Sequence, residues 1–111
     1  MITAVKVPAR QTLRKYGLSE RDWKTILRAQ GGVCAVCRQV PKTGRLVTDH
    51  EHVKGWKKMP PERRKLYVRG LLCWWCNHAY LGRGITLYKA RGVVAYLMAY
   101  KKRRENCGSS A

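Results

Sequence analysis

Acidic residues are scarce in this chain: 6 Asp and Glu stand against 24 Lys and Arg, a formal charge of +18 over 111 residues. That is far beyond the net charge of about 2–8 typical of a small soluble domain. It excludes an ordinary near-neutral surface and points to a polyanionic partner. No run of 18 apolar residues occurs, which excludes a membrane-spanning helix by length, and Met1–Lys6 lacks the apolar stretch of a secretory signal. The chain is therefore expected to be soluble and cytoplasmic, with no membrane partner. Low-complexity linkers are missing too, and no internal repeat appears beyond two short cysteine motifs. The length allows one domain with a modest core, 1–111, and not two.

The positive charge that is present is not confined to one tail. Lys101-Lys102-Arg103-Arg104 lies near the end, but Lys54, Lys57-Lys58 and Arg63-Arg64-Lys65 lie mid-chain. This distribution places nucleic acid ahead of an anionic membrane surface as the partner.

Four of the 5 cysteines form two Cys-x-x-Cys pairs, Cys34/Cys37 and Cys73/Cys76, separated by 35 residues. An odd count, no secretory signal and this spacing favour metal over disulfides. Four thiolates suit Zn²⁺, which is tetrahedral and redox-silent. A redox dithiol or buried free cysteines are the weaker alternatives. A Cys₄ site has every position filled, so the zinc is structural and any chemistry needs another centre. Cys107 is expected to be a spare exposed thiol.

Along the chain, Gln11–Tyr16 suits a short helix ended by Gly17. Ser19 can cap a second helix, with Glu20 and Asp22 in its first turn. Trp23, Ile26, Leu27 and Gln30 follow helical spacing until Gly31-Gly32. Arg45–Thr48, leading into Asp49-His50, and Lys65–Arg69 are β-rich and are predicted to pair as an antiparallel hairpin. Asn77 is predicted to begin a short helix, and Thr86 to cap a longer one over about 86–104, followed by a basic tail. Leu87, Ala90, Val94, Leu97 and Met98 repeat along it at helical spacing. Trp74 and Trp75, inside the second knuckle, are expected to pack against the zinc site ahead of stacking on bases, although one could do both. The fold class is α+β, a small zinc-stapled domain with flanking N- and C-terminal helices. The two knuckles bracket the hairpin, so one ion held by both would bring the histidine segment and Asn77 near one another.

Two of the rare carboxylates, Asp49 and Glu51, are interleaved with two of the 3 histidines, His50 and His52. Asp49 and Asn77 offer hard oxygens to a cation such as Mg²⁺. His50 could act as a general base near neutral pH. Together these are the minimum parts for metal-assisted phosphodiester hydrolysis. Asn77 could instead be a helix N-cap, Asp49 a turn acceptor, and the histidines further zinc ligands or surface residues. A regular strand would also send Asp49 and His50 to opposite faces. Hydrolysis therefore requires the strand to end or bulge between them.

The stretches YGLSERDWKTILRAQGGVCAVC, DHEH and VRGLLCWWCN, in this order over about residues 16–82, resemble the phage recombination endonuclease VII family. That family belongs to the His-Me finger (HNH, ββα-metal) nucleases. The resemblance implies a metal-dependent DNA endonuclease that leaves 5′-phosphate and 3′-hydroxyl ends, on branched (Holliday junction-like) or duplex DNA. It implies structural zinc on Cys34, Cys37, Cys73 and Cys76, and catalytic Mg²⁺ or Mn²⁺ on Asp49 and Asn77. His50 would be the base, and His52 would contact the scissile phosphate or assist the leaving group. A phage origin, hence host cytoplasm, and a homodimer are further implications, although the chain ends soon after one long helix.

The segment VKGWKKMPPERRKLY, between His52 and Val68, is longer than the turn common in that family. It carries 6 basic residues and one acid. It is expected to be a DNA-contacting loop, with Lys54, Lys57, Lys58, Arg63, Arg64, Lys65 and the nearby Arg69 on phosphates and Trp56 as a wedge, with a plain solvated loop as the close alternative. A non-catalytic zinc-knuckle nucleic-acid-binding protein is the competing expectation. It leaves the cluster of Asp49, His50, His52 and Asn77 without a role.

Overall fold

Caps and tight turns set the first helices. The computed structural model describes residues 5–82 and 84–108. Helix α1, Arg10–Lys15, buries Leu13 and stops at Tyr16. Gly17 follows at φ 71, and a Cβ there would sit 1.9 Å from the Pro61 carbonyl oxygen. Only glycine lets the later Pro61 segment pack this closely. Helix α2, Glu20–Ala29, begins with a reciprocal cap. The Asp22 N–H donates to Ser19 Oγ and the Ser19 N–H to Asp22 Oδ2, both at 3.0 Å. Its Trp23 and Leu27 turn inward, and Gly31 and Gly32, both at positive φ, end it as expected.

Strands β1, Val47–His50, and β2, Val68–Leu72, form a two-stranded antiparallel sheet. The pairing lies further along the second segment than the sequence suggested. Lys65–Tyr67 is a 3-10 turn, and Gly70-Leu71-Leu72 belongs to the strand. The register Val47↔Leu72 and Thr48↔Leu71 puts Leu71 and Leu72 into the core at 0% and 3% exposure. Lys65–Tyr67 offers no comparable apolar burial. The segment expected as a loop is mostly short helix instead: a 3-10 turn at Trp56–Lys58, then α3 over Pro61–Arg64. Pro61 at the first helical position, with Pro60 extended before it, explains the start.

Beyond β2 the chain enters a helical turn α4, Trp74–Cys76, which runs without a break into a π-type turn, Asn77–Leu81. The N-cap is Cys73, not Asn77. The capping role open to Asn77 is therefore already filled, and its side chain is free for another. Helix α5, Leu87–Gly108, runs somewhat past the predicted 104. Its cap is as expected, with the Lys89 N–H donating to Thr86 Oγ1 at 3.2 Å. Leu87, Val94, Leu97 and Met98 all remain more than half exposed. The thiol of Cys107 and residues 109–111 lie outside the described residues. Among those described, no helix is long and apolar enough to cross a membrane.

The core gathers Leu13 and Leu18 from the α1 region, Trp23 and Leu27 from α2, Leu71 and Leu72 from β2, and the sulfurs of Cys34 and Cys76. Buried Gln30 joins α2 to the sheet. Its Oε1 accepts from the Leu71 N–H at 2.8 Å, and its Nε2 donates to the carbonyls of Leu71 and Val33, each at 2.9 Å. The side-chain amide thus occupies the edge of β2 that β1 leaves open. Replacing it with an apolar isostere strands a buried N–H, which costs about 1–3 kcal/mol. Gln30→Leu is expected to lower the unfolding free energy of the zinc-loaded protein by about 2 kcal/mol in urea titration. An unchanged midpoint and slope would contradict this role.

Candidate metal centre and active site

The four knuckle sulfurs, Cys34, Cys37, Cys73 and Cys76, lie within 4.8 Å of one another. Local geometry brings each there. Cys34 follows the end of α2, and the chain reverses beyond it through hydrogen bonds Arg38 N–H to Cys34 O and Cys34 N–H to Gln39 O, both 3.0 Å. Arg38 takes a left-handed φ of 62 at this reversal. Cys73 caps α4, and its Sγ accepts from the Cys76 N–H at 3.4 Å, as Cys34 Sγ does from the Val36 N–H. Cys37 and Cys73 bridge the knuckles, with sulfurs 4.0 Å apart. Tetrahedral zinc with bonds of ~2.3 Å needs sulfurs ~3.8 Å apart. The cluster is near that size already.

Its electrostatics call for a cation. Burial pushes the Cys34 thiol up, but backbone N–H groups of Cys73, Cys37 and Val36 outweigh it and hold Cys34 at about 6. The Cys76 thiol moves the other way, raised by burial and then by the neighbouring sulfurs. One thiolate forms readily and works against the next. A divalent cation removes that conflict and lets all four ionise. The donor set therefore fits zinc.

The second centre lies at the end of β1. Asp49 pairs with Gly70 but His50 pairs with Val68, so the register breaks between them and Arg69 is left as an extra residue on β2. The extra residue sits on β2 and β1 itself ends at His50, so the sheet is irregular at the point where hydrolysis required the strand to end or bulge. Asp49 is 5% exposed, and Arg69 grips it through both oxygens: Nε to Oδ2 at 2.7 Å, Nη2 to Oδ1 at 3.0 Å.

His50 sits in a stack. The Trp56 ring lies 4.0 Å from it at 20°, and the His52 ring 5.0 Å away at 1°. Tyr16 is tilted against both His50 and Trp56 at 5.7 Å. Burial, followed by the charge of His52, lowers the His50 pKa from 6.5 against the opposing pull of Asp49. The imidazole is thus neutral near pH 7 and able to accept a proton. Burial and then the Asp49 carboxylate raise the Tyr16 phenol, which keeps its proton. His50, His52, Trp56, Lys57 and Lys58 line a cleft of about 410 Å³.

Sequence reasoning missed three of these parts. Trp56, expected as an exposed wedge, is 6% exposed and forms the wall behind His50. Its signal was present as a lone aromatic in a polar, basic segment. Tyr16 carried no signal. Arg69 was assigned to phosphate contact, whereas the structure gives both of its hydrogen bonds to Asp49. Two other basic residues are also occupied. Arg64 donates to the carbonyls of Lys15, Trp56 and Lys57 at 3.0, 3.3 and 2.6 Å and lies 4.8 Å over the Trp56 ring. Lys65 pairs with Asp22 at 3.1 Å. Lys54, Lys57, Lys58 and Arg63 are exposed.

Asn77 is half-buried in the turn that packs against β1. Glu51 is exposed, its N–H bonded to the Tyr67 carbonyl at 2.8 Å. His78 stacks on Trp74 at 4.7 Å. Trp74 and Trp75, expected to pack on the metal site, lie in one depression with Cys37 and Cys73 but remain 60% and 61% exposed.

The family model for recombination endonuclease VII matches residues 9–99. The gene 59 protein of Mycobacterium phage D29 is 37% identical over 71 residues, covering 63% of this chain and 36% of that protein. The gene 59 protein of Mycobacterium phage L5 is 37% identical over 71 residues, covering 63% of this chain and 37% of that protein. The matched region is thus little more than a third of these relatives' length. No solved structure matches the chain.

The sulfur cluster yields a direct expectation. Cys73→Ser is expected to lose zinc by metal analysis and to become insoluble or lose its cooperative thermal transition, since structural zinc contributes about 10 kcal/mol or more in small modules. A soluble, cooperatively folded Cys73→Ser protein without zinc would show that the clamp is dispensable.

Proposed function

The chain belongs to the recombination endonuclease VII family, and from that premise we propose that it is a metal-dependent DNA endonuclease of the His-Me finger type. Residues 1–111 would act as one nuclease domain with its core over about 16–82. The observation that supports the proposal is the irregular end of β1, where His50, its pKa lowered from 6.5 mainly by burial, follows the buried carboxylate of Asp49. Cys34, Cys37, Cys73 and Cys76 would hold a structural zinc. Asp49 and Asn77 would hold Mg²⁺ or Mn²⁺, which when bound supplies positive charge at the scissile phosphate.

His50 takes the proton from the attacking water, and the Trp56 face fixes the plane in which its ring can do so. His52, exposed at the rim, contacts the scissile phosphate or assists the leaving 3′ oxygen. The products carry 5′-phosphate and 3′-hydroxyl ends. Lys54, Lys57, Lys58 and Arg63 hold the DNA backbone without reading sequence. The substrate is branched, Holliday junction-like DNA or duplex that is nicked, and the reaction takes place in the host cytoplasm of a phage. A homodimer would cover the exposed apolar residues of α5.

One observation favours a second reading, a zinc-knuckle protein that binds nucleic acid without cutting it. The Asp49 carboxylate is already neutralised by Arg69. The two readings separate on metal affinity. If Asp49 is a ligand, Arg69 competes with the cation, and Arg69→Gln tightens Mn²⁺ binding in calorimetry while Asp49→Asn abolishes it. Unchanged Mn²⁺ affinity in both variants would support the binding protein.

Cleavage of supercoiled plasmid with Mg²⁺ or Mn²⁺ tests the base. His50→Ala is expected to lose about 10²–10⁴-fold in rate while keeping zinc and DNA binding. A His50→Ala protein that cuts at the unmodified rate would rule out the assignment. The imidazole must be unprotonated to act, so the rate rises with pH. Because the His50 pKa is lowered from 6.5, the acid limb should have its midpoint below that value. A midpoint clearly above 6.5 would mean that another group is the base.

A further inference from the structure

The two exposed tryptophans of the second knuckle have no part in the chemistry above. Each carries one of the largest apolar surfaces a side chain offers, yet both are about three-fifths exposed. Trp74 stacks one face on His78. Trp75 has no aromatic partner among the described residues. Together with Val40, Pro41 and Lys42 they line an open depression of about 460 Å³ that joins the two knuckles.

Charge narrows what can lie there. None of the six acidic residues falls within 31–48 or 68–82, whereas Arg38, Lys42 and Arg45 do. Four thiolates around a divalent cation nevertheless leave a net negative charge at the sulfurs, and Cys37 and Cys73 form part of the depression's lining. A phosphate is repelled from that wall and drawn to Lys42 on the lining. A neutral aromatic face suits the tryptophans themselves. A flat apolar ring on an anionic strand meets both conditions.

We propose that Trp74 and Trp75 form a stacking platform for an unpaired nucleobase of DNA. The proposal rests on the reading that the chain binds DNA, and it adds a preference within that substrate class. A base can lie on the platform only when it is out of the duplex stack, as at a bulge, a branch or a flap. Since α4 continues directly into Asn77, a base held on Trp75 fixes its strand relative to the proposed active site. Stacking of this kind is sequence-tolerant, because every base has a π face.

The test uses the zinc-loaded chain without added divalent cation and two fluorescent duplexes. One carries 2-aminopurine in a single-base bulge; the other has the same sequence fully paired. The bulged probe is expected to bind roughly tenfold more tightly, with its 2-aminopurine emission quenched on binding. Trp75→Ala should lose both the preference and the quench while keeping its zinc and its affinity for the paired duplex, and Trp75→Phe should keep part of each. Equal binding of both probes with unchanged emission overturns the platform and leaves the DNA reading intact. Failure to bind either probe at low salt overturns that reading and the platform with it. If Trp75→Ala instead abolishes a concentration-dependent self-association in sedimentation and leaves the preference untouched, the surface meets a second copy of the chain and the platform is wrong.

Discussion

Four sulfurs converging within 4.8 Å of one another set the positions of nearly everything else. A sheet of two short strands is marginal in water by itself. Here the second knuckle begins directly after β2. The first lies along the edge of β2 that β1 does not use, with the Ala35 N–H donating to the Leu71 carbonyl at 3.1 Å. Gln30 fills the neighbouring edge positions. The hairpin is thus held on its open side by backbone, side-chain amide and sulfur at once. Asn77, the residue after Cys76, inherits its place against β1 from the same constraint. The thiols oppose one another's ionisation unless a cation lies between them, so metal binding and folding are coupled.

The break in register at the end of β1 is the second constraint, and it follows from the first. With Leu71 and Leu72 fixed in the core opposite Thr48 and Val47, the residues before them must reconcile the strand with α3 and the 3-10 turn that precedes it. Arg69 is the residue left over. Its guanidinium then reaches the only buried carboxylate among the described residues. An unpaired buried carboxylate is costly, and a bidentate guanidinium is the most complete compensation a side chain offers.

The fold class, both knuckles, the cap at Ser19 and the stop at Gly31-Gly32 were legible because each depends on local chemistry: a ligand spacing, a hydroxyl before a helix, a glycine after one. The DHEH cluster was legible as a departure from an otherwise basic composition. What could not be read were the outcomes of packing. Whether Trp56 faces solvent depends on Arg64, which ties the Trp56 and Lys57 carbonyls to that of the distant Lys15. The strand position depends on which apolar residues win places in the core. Charge count was silent on such packing for the same reason. Arg64, Lys65 and Arg69 read as phosphate contacts, but the fold uses their hydrogen bonds internally.

These internal uses bear on how the proposed site would work. One carboxylate cannot grip Arg69 through both oxygens and also give an oxygen freely to a cation. In the paired state the buried charge is balanced within the protein and the site is closed to metal. A cation that took over Asp49 would free the Arg69 guanidinium to pair with another anion, such as a backbone phosphate of the proposed substrate. Metal binding and backbone binding would then support each other, although the metal touches Asp49 and the DNA touches Arg69. The stack around His50 is independent of this exchange. Its shape comes from Trp56 and Tyr16, which Arg64 and the Gly17–Pro61 contact hold in place. The proposed general base, His50, thus keeps its orientation while the charges beside it change partners.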